Sequence, residues 1–202
     1  MSHNRAFVLG SGLAMIAGIA TAFAQGPIGT YYVSDSGSGF PRSIWAHENG
    51  GTVTRTAMTF DLTLGNTIVT ETGPLAVYGN TVATTGHWGY TNRQAQNGEI
   101  FTRGPGGTLT TTGQITTNLT TTDTFWDGTS DGTYNYMIGS NSSAQGTIYR
   151  CNLDWSNPTP VAVMNMNMTF IGITYDASDN TFFISAISPI GLSSMFHVAM
   201  PP

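Results

Sequence analysis

Apolar and polar positions along this chain repeat. The stretch "GTIYRCNLDW" (146–155) enters through small residues, places Ile148 and Tyr149, and then steps through a charge into a turn. "GEIFTRGPGG" (98–107) and "SSMFHVAMPP" (193–202) follow the same order. Anchored on Ile44, Ile100, Ile148 and Met195, four segments stand 56, 48 and 47 residues apart. The next residue is aromatic each time: Trp45, Phe101, Tyr149 and Phe196. Twelve residues before each anchor stand Tyr32, Trp88, Tyr136 and Phe183, and twenty-two before the last three stand Tyr78, Trp126 and Ile173.

The last copy shows what one unit contains. "FIGITYD" (170–176) reads as a strand, "ASDN" as a tight turn and "TFFISAI" (181–187) as the returning strand of a hairpin. A loop, "SPIGLS", leads to a third strand, "SMFHVAM". Copy three adds a fourth, with "TFWDG", "TYNYMIG", "GTIYRCNL" and "VAVMNMN" in succession. Copy two gives "LAVYG", "HWGYT", "EIFTR" and "GTLTTTGQI". The pattern predicts four short antiparallel strands per unit of about 48 residues, joined by Gly, Asn, Asp and Pro turns. No stretch longer than a turn or two has helical periodicity.

A four-stranded unit repeating every 40 to 50 residues or so predicts a β-propeller blade, whose apolar faces are buried only by stacking on neighbouring blades. "GITYDASDNTFFISAISPIGLSSMFHV" (172–198) resembles a blade of the secreted bacterial propellers, the broad group of lactonase-like, quinoprotein-like and Trp-Asp-like repeats. The resemblance runs over residues 29–202 and is generic: no Gly-His…Trp-Asp signature, kelch double glycine or Asp box is present. A β-sandwich and a Thr-rich β-solenoid, suggested by "TLTTTGQITTNLTTTD", are the alternatives. Solenoid coils are shorter and lack paired aromatic columns.

The expected fold is therefore all-β, a propeller-like array of about three and a half four-stranded antiparallel blades. Repeat units fall near 29–73, 74–121, 122–168 and 169–202. Copy one supplies its second, third and fourth strands and copy four its first three. Such an array is either part of a longer propeller or an open arc whose uncovered sheets and edges invite self-association.

Composition adds the compartment. Residues 1–24 carry Arg5 in a short polar start, an apolar Gly/Ala-rich run and Ala22-Phe23-Ala24, a pattern that signal peptidase accepts, and they read as a signal peptide with a retained membrane anchor as the alternative. Residues 25–202 form the expected mature domain, secreted, periplasmic or at the cell surface, with no second apolar run of spanning length. Only 8% of residues are charged, Lys is absent, and the formal net charge is −5. Without a basic stripe, nucleic acid is excluded as a partner. Absence of Lys removes Schiff-base chemistry and a phosphate-loop lysine. Cys151 is the single cysteine, so no intrachain disulfide forms; it is expected to be a small buried side chain.

Candidate chemistry is sparse. Arg42 and Arg93 fall in equivalent loops between second and third strands, and Asp127 is the one carboxylate beside the row of inner-strand residues. These three are the candidate ligand-binding residues, and solvated loop arginines are the competing reading of the first two. The acidic stretches "DGTSDG" (127–132) and "DASDN" (176–180) match ordinary hairpin turns better than a calcium loop. His3, His47, His87 and His197 lack metal-ligand spacing. "GPGG" (104–107) reads as a hairpin turn, since no helix follows to make a phosphate cradle. Asn118, Asn141 and Asn167 stand in glycosylation sequons. No catalytic residue, metal or cofactor is expected.

Function then rests on architecture alone. The leading expectation is an exported, non-catalytic propeller-like protein that binds an unidentified protein or glycan. The alternatives are a secreted propeller enzyme of hydrolase, lyase or quinoprotein type, and a structural or adhesive surface repeat.

Overall fold

The computed structural model describes residues 31–34, 43–47, 53–57, 63–64, 67–68, 72–86, 97–116 and 123–200. The expected signal peptide, Arg42, Arg93, Trp88 and the segment "HWGYT" lie outside the described residues.

The described residues are almost wholly strand. Sheet one contains β1 (Tyr31–Ser34), β2 (Ser43–His47) and β3 (Val53–Ala57). A small hairpin of β4 (Thr63–Leu64) and β5 (Thr67–Ile68), which the repeat pattern does not anticipate, follows it. Sheet two runs β6 (Thr72–Tyr78), β7 (Thr81–Gly86), β8 (Asn97–Arg103) and β9 (Leu109–Thr116). Sheet three runs β10 (Thr124–Ser130), β11 (Asn135–Ser140), β12 (Gly146–Cys151) and β13 (Thr159–Met164). Sheet four has β14 (Thr169–Asp176), β15 (Thr181–Ile187) and β16 (Ser193–Ala199). Each sheet is an antiparallel meander in chain order, the topology of a propeller blade.

Alternation along the strands places one set of side chains on each face of a sheet. Three hydrophobic clusters result, one per junction between successive sheets. Ile44 of sheet one meets Val82, Phe101 and Leu109 of sheet two. Ala76 and Ala83 of sheet two meet Phe125, Met137 and Cys151 of sheet three, with Trp155 closing the cluster. Tyr136, Ile138 and Ile148 of sheet three meet Phe170, Ile173, Phe182 and Ile184 of sheet four. Blades are thus held by face-to-face packing, as the aromatic columns require: the Tyr136 and Phe182 rings, 4.9 Å apart, cross at 61° between sheets three and four.

Register explains where the columns hold. Ile44 faces Ser34, Ile148 faces Ile138 and Met195 faces Ser185, the same ten-residue offset in sheets one, three and four. In sheet two Ile100 instead faces Ala83, and the second strand is Thr81–Gly86, not "HWGYT". A two-residue turn at Gly79-Asn80 brings that strand in early, and the extra residues fall between β7 and β8. The column Tyr78, Trp126, Ile173 is likewise corrected. Ala76 faces Ala83, Asp127 faces Ile138 and Gly172 faces Ser185, in line with the anchors Ile100, Ile148 and Met195, so the residues level with Trp126 are Leu75 and Ile171. Turns of different length break a fixed count that hydrogen-bond register preserves.

Interblade ties supplement the packing. Arg103, buried in β8, donates from Nε to Tyr32 Oη at 3.2 Å and from Nη1 to the Gly79 carbonyl at 3.3 Å. Its guanidinium also lies 5.3 Å from the Tyr32 ring centroid, clasping sheet one to sheet two. The GPGG turn is a single 3₁₀ turn at Pro105–Gly107, with positive φ at Gly106 and Gly107, and the Gly106 carbonyl accepts from Thr54 Oγ1 of sheet one.

Candidate functional site

The first strands β6, β10 and β14 lie side by side and form the inner edge of the array, the region that lines a propeller's axis. Each of the three carries an irregularity near its start: between Thr72 and Leu75, between Phe125 and Asp127, and between Phe170 and Gly172. A bulge leaves one residue unpaired and re-aims its side chain, a device common beside functional sites. The bulged residues differ. Pro74 is buried, Ile171 is half-buried, and Trp126 presents its indole at 45% exposure.

Next to Trp126 stands Asp127. At its register position the other two inner strands carry Ala76 and Gly172, so the carboxylate is the polar member of that ring of positions. Its Oδ1 accepts from the Gly128 amide at 2.8 Å, and its Oδ2 accepts from the Ile173 amide of the next inner strand at 3.0 Å. Two residues on, Thr129 Oγ1 accepts from the Tyr175 amide at 3.1 Å. The free backbone edge of β14 is therefore capped by side chains of β10. Burial pushes the Asp127 carboxyl above its ordinary value, and the two backbone hydrogen bonds pull only partly the other way. Gly172 leaves space in front of this group: a Cβ there would stand 3.6 Å from Asp127 Oδ2 and collide with Ser185 Oγ at 2.4 Å. A half-buried carboxyl with a raised proton affinity, beside an exposed indole, can give and take a proton.

Of the three sequence candidates, Asp127 is placed on the inner edge, while Arg42 and Arg93 lie outside the described residues. The acidic turns are occupied by themselves. Asp131 Oδ1 accepts from the Thr133 and Tyr134 amides, its Oδ2 accepts from Tyr136 Oη, and Asp176 Oδ1 accepts from the Ser178 amide. Among the described residues no three His, Cys, Asp or Glu side chains converge as metal ligands. None of their helices is long and apolar enough to cross a membrane.

Two buried acids escaped the sequence reading. Asp123, just before β10, accepts from Tyr149 Oη at 2.9 Å, and Glu99 in β8 accepts from Thr111 Oγ1 at 2.5 Å. The available signal was scarcity: in a chain this poor in charge, an acid within or beside an alternating apolar strand is placed there for a partner.

No protein-family model matches the chain, and no curated protein matches it. Solved structures do. The periplasmic gluconolactonase of Pseudomonas aeruginosa is 12% identical over 78% of this chain and 47% of its own, with a TM-score of 0.45. A gluconolactonase from Xanthomonas campestris is 10% identical, covering 83% of this chain and 47% of that one at a TM-score of 0.49. A protein from Lactobacillus plantarum is 14% identical over 89% and 55% of the two chains at 0.45. The chain spans about half the length of these proteins. The fold is all-β and propeller-like, in stacked antiparallel blades. The expectation of a non-catalytic binding protein is corrected to this extent: the named neighbours are gluconolactonases, which runs against it.

Proposed function

We propose that this chain carries the inner-edge site of a propeller hydrolase, with Asp127 as its proton-transferring group. The observation that carries the reading is the raised, half-buried carboxyl of Asp127 at a bulge on the axis-lining strand. Ionised, it takes a proton from water as the water oxygen bonds to an acyl carbon. Protonated, it returns that proton to the leaving oxygen as the acyl–oxygen bond breaks. Backbone amides of Gly128 and Ile173 fix the carboxyl's orientation, and Trp126 offers a flat apolar surface for the substrate ring. Cyclic esters are the substrate class to try first, because the named neighbours are gluconolactonases. Export belongs to the same reading, and intact mass of protein recovered outside the cytoplasm would place its first residue at Gln25.

The test is lactone opening followed by acid release, with gluconolactone and simple esters as probes, against the spontaneous rate. Asp127→Asn should lower the catalysed rate about 100-fold or more. The rate should rise with pH through a value above that of an ordinary carboxyl, because the base form appears only there. Hydrolysis that persists unchanged in Asp127→Asn, or no rate above background with any ester, overturns the reading.

A further inference from the structure

Every junction between blades uses the same register positions. On the face a sheet turns toward its predecessor, sheet three presents Asn135, Met137, Tyr149 and Cys151, and sheet four presents Phe182, Ile184, Phe196 and Val198. Met137, Cys151, Phe182 and Ile184 are fully buried there. The equivalent positions of sheet one are Tyr31, Val33, Trp45 and His47. Tyr31 is 60% exposed and Val33 46% exposed, with Val53 of β3 open beside them.

The opposite face shows the converse. Toward its successor, sheet one buries Ile44 and Ala46, and sheet three buries Tyr136, Ile138 and Ile148. In sheet four the same positions are Phe183, Ser185, Met195 and His197. Met195 is 73% exposed and Phe183 is 38% exposed, its ring stacked on His197 at 4.6 Å. Ile190 and Leu192, in the turn between β15 and β16, are exposed as well.

We propose that these two faces dock on each other between two copies of the chain. The face of sheet four that carries Met195 and Phe183 would seat the face of sheet one that carries Tyr31 and Val33 of a second copy. The two contacts, repeated by a twofold axis, would close one ring. Three reasons favour this occupant. The interface continues the junctions already built inside the chain, at the same register positions and with the same apolar chemistry. One chain offers both halves of the contact, so a second copy supplies both complements at once. The four described blade sheets of each copy would together make eight, within the range of about four to eight blades that propellers adopt. A twofold arrangement would cover both of these described faces at once, which separates it from an open filament.

The full chain, purified and examined by sedimentation velocity and small-angle scattering, tests the proposal. A closed dimer with the profile of a ring is expected, and it should not grow with concentration. Met195→Arg and Val33→Arg change exposed side chains, so each should keep a native far-UV spectrum while weakening the dimer at least tenfold. Mixed together, the two variants should pair through their one remaining intact contact. A monomer at high concentration, a ladder of larger assemblies, or a dimer indifferent to Met195→Arg would each overturn the proposal.

Discussion

Tyr149 shows how much a single side chain carries here. Its ring meets Phe125 edge-on at 5.6 Å between centroids, and its hydroxyl donates to the buried carboxylate of Asp123. Tyr149→Phe keeps the ring and removes one donor from that carboxylate, so it should cost about 1–3 kcal/mol. Tyr149→Ala also empties the packed volume and should cost about 3–5 kcal/mol. Urea unfolding of the pair separates the hydroxyl from the ring; equal losses would place the whole contribution in the hydroxyl. The aromatic column predicted the ring, since its repeat spacing survives in sheets one, three and four. The Asp123 contact was not legible, because it joins residues 26 apart whose side chains meet only after β10 and β12 are both in place.

At the scale of elements, strand count and order were readable from the alternation and the turns. Strand β15 coincides with the predicted "TFFISAI", since β-branched and aromatic residues bounded by turn residues leave little choice of conformation. Sheet two is where the reading slipped. Its two-residue turn pulls Thr81–Gly86 into the second position, and neither turn length nor loop length is recorded in hydrophobic periodicity. A close approach confirms how tightly that strand is held. A Cβ at Gly98 would lie 1.8 Å from the Thr84 carbonyl oxygen and 2.8 Å from Thr85 Cα, both backbone atoms of β7. Gly98→Ala must push β8 from β7 and should cost about 3 kcal/mol. A drop in urea midpoint with unchanged slope reports this; an unaltered midpoint would mean the two strands can separate freely.

For the whole molecule, stability is a sum of blade interfaces, and Cys151 reports on one of them. The thiol is buried between sheets two and three, and burial pushes its pKa up to about 12, with Asp154 adding to the effect. A neutral, enclosed thiol is unreactive. Thiol-directed reagent at about pH 8 should label the native protein only as fast as sheets two and three part, and label it at once in denaturant. Rapid labelling of the native chain would show that this interface opens on its own.

The sequence by itself determined the class and the unit: alternating apolar residues with Gly, Asn and Asp turns make short antiparallel strands, and recurring aromatics demand a neighbour to pack against. That information is local, with a period of two within strands and about 48 residues between units. Only the tertiary structure decided register in sheet two, the clasp of Arg103 on Tyr32, and the place of Asp127. On the strand, Asp127 is one acid beside a tryptophan. Burial in the folded sheets raises its proton affinity, while the Ile173 amide, brought from 46 residues away by β14, fixes its orientation and pulls that affinity partly back. The two open faces were also decided there. Met195 and Ile148 occupy one repeat position, yet Ile148 is buried against sheet four while Met195 is exposed, a difference that the repeat itself does not record.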